Sequence, residues 1–192
     1  DKVEDMTRMF MNCKILKNID ISNLNTSNVK DLSYLFYHCD SIEKLDLVNF
    51  DTKQVTKMSY MFSNCQSLTY LNIESFDTSQ VKEMDYMFNA LYLLTEIDLS
   101  KFNTSNVQKM KGMFSYATNL SFIDLSNLDT SNVYDFGNMF EGCEGIKELD
   151  LSYFNFFKGE YFYNIFDYCE NMTVFLNNNT KEISKLTDAI PE

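Results

Sequence analysis

A chain of 192 residues with 45% apolar side chains has material for one domain or one continuous repeat array. Its net charge of −12 opposes nucleic-acid phosphates and anionic headgroups, which argues against DNA, RNA and membrane-surface partners and favours cationic ones. No apolar run reaches 18 residues, so no direct membrane insertion is expected.

From the first residues onward the chain repeats itself. Phe10, Phe36, Phe62, Phe88, Phe114, Phe140 and Phe166 recur at a constant step of 26 residues. Six units start at Val3, Val29, Val55, Val81, Val107 and Val133, and a degenerate seventh starts at Gly159. The array of six units is placed at 1–155, and the seventh unit with a C-terminal cap at 156–192.

Within a unit the apolar slots change period. In the third, Val55, Met58, Met61, Phe62 and Cys65 step by three and four, which predicts a short helical segment with one buried face. Leu71 and Ile73 step by two, which predicts a short strand. A segment such as Asp77-Thr78-Ser79-Gln80 then leads into the next Val. Pro occurs once and Gly five times, so turns of this kind must rest on Asn, Asp, Ser and Thr side chains. A single unit cannot bury its own apolar face; stacked units can.

The strand segment Leu68-x-x-Leu71-x-Ile73-x-x-Phe76 resembles the leucine-rich-repeat motif. Phe or Leu stands in the usual Asn ladder slot, at Leu24, Phe50, Phe76, Phe102, Leu128 and Phe154. With its LDLSNFDTSNV-like and MSYMFxxC phrases, the unit resembles the BspA-like leucine-rich repeats, and more narrowly the 26-residue repeat domain of mycoplasma-type surface lipoproteins. The match is close over 3–155 and loose over 159–176. The resemblance implies an α/β repeat solenoid: a right-handed array with one parallel sheet of about six to seven short strands, and short helical segments on the other side. It also implies a surface-exposed or secreted protein that binds a host or matrix protein or glycan. It supplies no catalytic residues, and no cofactor is expected. The rival reading is a structural spacer or stalk that displays another domain.

Candidate binding residues lie in the outward strand slots. One slot holds Asp20, Asp46, Asn72, Asp98, Asp124 and Asp150, a column that reads either as a cation-binding or basic-partner groove or as a motif Asp on a solvated face. A neighbouring slot varies through Asn18, Lys44, Tyr70, Glu96, Phe122 and Glu148. Variation inside a regular array is where specificity resides, and Tyr70 and Phe122 are its aromatic anchors.

Other reactive residue types fall into regular slots. Cys13, Cys39, Cys65, Cys143 and Cys169 share a slot with Leu91 and Ala117, which predicts buried free thiols. His38 is the only histidine, so hydrolase chemistry and zinc binding have no constellation to use. Ten of eleven methionines, Met9 among them, occupy apolar slots. Tyr34, Tyr60 and Tyr86 form a short column, either stacked or adhesive. The aromatic run at 156–163 belongs to the expected cap. The first unit has none, so the chain reads as part of a longer one, or its first edge as a contact surface.

Overall fold

A computed structural model describes residues 2–177 together with Ser184 and Leu186. The chain winds through stacked coils, and each coil presents a turn-rich half and a strand half. Of the expected seventh unit and cap at 156–192, residues 178–183, 185 and 187–192 lie outside the described residues.

The turn-rich half replaces the expected helical segments; among the described residues there is no helix. The reason lies in where the amide protons go. In the second coil Leu32, Tyr34, Phe36 and His38 donate to the carbonyls of Lys57, Ser59, Met61 and Ser63 in the third. The intervening Leu35, Tyr37 and Cys39 donate three residues back within their own coil. An α-helix needs consecutive amides to bond four residues back. Here alternate amides leave the segment, so it folds as linked tight turns. Its side chains still point inward at spacings of three and four, which mimics a helix in the sequence.

These turns require a left-handed backbone twice per coil, at Tyr34 and His38, at Tyr60 and Asn64, and at Tyr86 and Ala90. Asn, as at Asn64, tolerates this region; a Tyr there is strained. Ring stacking offsets the strain: Tyr34 and Tyr60 stack at 4.7 Å, Tyr60 and Tyr86 at 4.9 Å. The next residue in this column is Gly112, also left-handed, and a Cβ there would strike the Tyr86 ring at 2.1 Å. The tyrosines are therefore a packed, half-buried column.

Five such backbone rungs cross each of the six junctions between coils, the fifth running through Lys30, Thr56, Lys82, Gln108, Tyr134 and Glu160. Behind them the seven phenylalanines from Phe10 to Phe166 stack without interruption, at 5.3 to 6.1 Å between ring centroids. In the third coil all nine apolar slots are buried except Leu71, which is half-buried. In the first coil only Met6 of these slots is buried; the others open partly or wholly to solvent, and Met9 is exposed rather than part of the core.

A third ladder is built from side chains. Buried Thr26, Thr52, Thr78, Thr104 and Thr130 each donate Oγ1 to the backbone carbonyl 25 residues on. Thr26, Thr52, Thr78 and Thr130 also accept the amide of that same residue. The Asp or Asn bearing that amide accepts the N–H two residues ahead, as Asp77 does from Ser79. This is how turns close with so little Gly and Pro.

The strand half corrects the expectation of one sheet of six to seven strands. Among the described residues four three-residue strands form two parallel pairs: β1 (Lys44–Asp46) with β2 (Tyr70–Asn72), and β3 (Glu148–Asp150) with β4 (Thr173–Phe175). Between them, in the fourth and fifth coils, no ladder forms. Two ties present elsewhere are lost there. The Cys65 thiol donates to the Phe36 carbonyl and Ser67 donates to Asp40 through both its amide and its hydroxyl, fastening the third coil to the second. In the fourth coil these positions are Leu91 and an exposed Leu93, which have nothing to donate from their side chains.

Thr78→Val keeps the shape but strands an amide and a carbonyl, and should cost about 1–3 kcal/mol in urea unfolding. Asp85, in the turn-rich half, is largely desolvated, and burial raises its carboxyl to about 6 although it accepts the Lys111 amide. Because the folded state holds this proton more tightly, its contribution falls as pH rises from the ordinary 3.8 to about 6. Asp85→Asn should therefore be more stable than the parent above pH 6, by on the order of 1 kcal/mol, with the difference vanishing below pH 4 in denaturant titrations.

Candidate functional site: the strand face

The outward strand slots are all at the surface. Asp20, Asp46, Asp98, Asp124, Asp150, Lys44, Tyr70, Glu96, Phe122 and Glu148 are exposed, and Asn72 is half-buried. Each member of the Asp column performs the same local task. Asp20, Asp46, Asn72, Asp98, Asp124 and Asp150 accept, through Oδ1, the amide two residues ahead. That bond turns the chain out of the strand. The Ser side-chain and backbone bonds hold Asp20, Asp98, Asp124 and Asp150 below the usual carboxylate range, so they are ionised at neutral pH. Asn72 donates Nδ2 to Asp46 at 2.9 Å and relieves the repulsion at that step.

Where the sheet is interrupted the face opens into a groove of about 410 Å³, within the roughly 300–1,000 Å³ range of ligand clefts. Tyr70 of the third coil and Phe122 of the fifth line its sides, 48% and 69% exposed. Leu71, Leu94, Ile97 and Leu99 supply apolar lining, and Glu96, Asp98 and Asp124 supply acidic groups. Of the candidates, the groove thus brings together Tyr70, Glu96, Asp98, Phe122 and Asp124. Lys44, Asp20 and Asp46 line a separate shallow recess over the first two coils, to which Tyr70 also contributes. Asp150 shares a third, with Phe122 and Tyr153. Tyr153, 63% exposed, is a further surface aromatic of this face, and it lies outside the outward strand slots.

The groove itself has a signature in the sequence. Units four and five, whose Cys slot holds Leu91 and Ala117, are the two units between β2 and β3, and neither forms a strand.

The reactive side chains elsewhere do not converge. His38 Nδ1 lies 3.1 Å from Asp40 Oδ1, but the intervening Cys39 points inward and donates to the Phe10 carbonyl. Burial pushes the Cys39 thiol up to about 12, the reverse of what a nucleophile requires. Burial likewise raises Cys65, Cys143 and Cys169. All five cysteines are free, and no cluster suited to a metal ion occurs among the described residues. The Met-rich and Tyr-rich slots are likewise packed rather than reactive.

The fold and its open groove define a tandem-repeat protein with a lateral face and no convergent catalytic group among the described residues. The family described as "Mycoplasma protein of unknown function, DUF285" matches residues 1–96 and 93–190, and the chain belongs to that family. No curated protein matches it. Similar solved structures include a leucine-rich repeat protein from Bacteroides ovatus ATCC 8483, 16% identical, with a TM-score of 0.43 over 77% of this chain and 40% of that one. Another is a leucine rich cell surface protein from Faecalibacterium prausnitzii A2-165, 13% identical, with a TM-score of 0.35 over 97% of this chain and 72% of that one. The chain thus spans less than half the length of the first.

The partly exposed Cys13 should be the only thiol that Ellman's reagent reaches quickly in the native protein at pH 8. All five should react once it is unfolded without reductant.

Proposed function

We propose that this chain is a surface-exposed or secreted binding module of the BspA-like leucine-rich-repeat kind, built on the 26-residue unit of mycoplasma-type surface lipoproteins. Its strand face holds a host or matrix protein or glycan. The observation that carries this reading is the groove. Tyr70 and Phe122 stand exposed beside an acidic, apolar-lined recess, whereas the phenylalanine column from Phe36 to Phe166 is buried and stacked. Exposed aromatics beside fixed charges are the usual anchors of an interface. The acidic surface favours a basic partner.

The unbroken rungs of the turn-rich half favour a second reading, a stiff spacer with no ligand of its own. A pull-down from host-surface extract separates the two. The parent chain should retain a discrete partner, and Tyr70→Ala combined with Phe122→Ala should lose most of it while melting normally. Equal recovery by the double variant overturns the assignment of this face; recovery of nothing by either protein favours the spacer.

A further inference from the structure

Along the groove three outward side chains follow one another in the same slot of successive coils: Tyr70, Glu96 and Phe122. Among the described residues neither aromatic ring has a ring or cation contact, and no ion pair or hydrogen bond holds the Glu96 carboxylate. The turn-rich half shows what a pair of rings in this fold can hold. There Lys111 Nζ lies 5.8 Å from the Tyr86 ring centroid and 5.4 Å from that of Tyr163, a cation between two aromatics. On the strand face the two rings are present, and a carboxylate stands between them in place of the cation.

The spacing suits a cation. From the third coil to the fourth and from the fourth to the fifth, the phenylalanine column steps 5.9 and 5.8 Å. A cation seated over Glu96 is one such step from each ring, within the reach of about 6 Å that a cation–π contact allows. Residues 96–98 already fill the position between the third and fifth coils and line the groove, so an occupant enters as a side chain. Its aliphatic stem would meet Leu71, Leu94 and Ile97. Asp98 and Asp124 are held ionised by their bonds to Ser100 and Ser126, and Lys101, the cation near Asp98, leaves the acids in excess. Of the cationic side chains, arginine fits this set of partners best. Its guanidinium lies flat on a ring while its N–H fork stays free, in its own plane, for a carboxylate, and it is more weakly hydrated than an ammonium.

We infer that this groove receives an exposed arginine side chain of a protein partner, its guanidinium flanked by Tyr70 and Phe122 and bonded to the Glu96 carboxylate. The inference rests on the strand face being the binding face and names the group which that face recognises.

The test is an NMR titration of the whole chain, methyl-labelled at Leu and Ile, with the capped tripeptide acetyl-Gly-Arg-Gly-amide. The methyls of Leu71, Leu94 and Ile97 should shift saturably. The citrulline tripeptide, which keeps the shape and loses the charge, should bind at least about fivefold more weakly, as expected for loss of a charged hydrogen bond. The lysine tripeptide should bind about two- to threefold more weakly. Tyr70→Ala and Phe122→Ala should each weaken the arginine tripeptide by about two- to fivefold, the range of an exposed cation–π contact, and Glu96→Gln by about fivefold. Glu4→Gln, an equal change of charge on the exposed first coil, should leave it unchanged. Equal binding of the citrulline or the lysine tripeptide overturns the inference, and so does an effect of Glu4→Gln equal to that of Glu96→Gln. If the arginine tripeptide produces no saturable shift while the Tyr70 and Phe122 double variant still loses a captured partner, the strand face stands and this occupant falls.

Discussion

Alternate amides of the turn-rich half bond not to their own coil but to the next, and the rest of the architecture follows from that. Met58, Tyr60, Phe62 and Asn64 each spend a backbone donor on the fourth coil, so the segment cannot close as a helix. Satisfying the remaining donors within the coil demands tight turns, and tight turns demand left-handed residues at Tyr60 and Asn64. Stacking the coils at the spacing these bonds impose aligns identical side chains. The phenylalanine column, the tyrosine column and the threonine ladder are all products of that alignment.

With cohesion placed on the turn-rich half, the strand half is relieved of holding the stack together. In a sheet-based solenoid an interruption of two coils would sever the spine. Here the sheet lapses across the fourth and fifth coils while all the turn-side rungs continue beneath it. Tyr70 and Phe122 can therefore differ from their counterparts Lys44 and Glu148 without structural penalty. The division of labour places variation on one side and invariance on the other.

Much of this was legible in the chain. The constant spacing of Phe10 through Phe166 locates the stack, and the outward slots locate Tyr70, Phe122 and the Asp column. The helical expectation failed for a physical reason: side-chain periodicity reports which way residues point, and a run of turns points them inward at the same intervals as a helix. What distinguishes the two is the destination of each amide, which periodicity does not encode. The closest signals are Asn64, Asn138 and Gly142 at left-handed positions, but Tyr60 and Ala90 at equivalent positions mask them. The full sheet failed similarly. An alternating pair of Leu or Ile is present in each of the six units, yet pairing also needs ties such as Cys65 to Phe36 and Ser67 to Asp40. Leu91, Leu93 and Ala117 mark their loss. The Asp column is ambiguous in sequence because a turn-forming carboxylate and a cation ligand use the same residue at the same spacing.

Because every rung joins a residue to one 25 or 26 positions away, the chain has two very different responses to a change in its own length. Removing one residue from the turn-rich half of a coil throws its amides out of step with both neighbours and breaks rungs on two junctions at once. Removing or duplicating 26 residues leaves every remaining rung with an equivalent partner, since Thr52 would find in Asn103 what it now finds in Asp77. Whole coils are thus the natural currency of gain and loss in such a gene, exchanged between misaligned copies of its own repeat. The groove, tied to two particular coils, would travel along the rod as the count on either side of it changed.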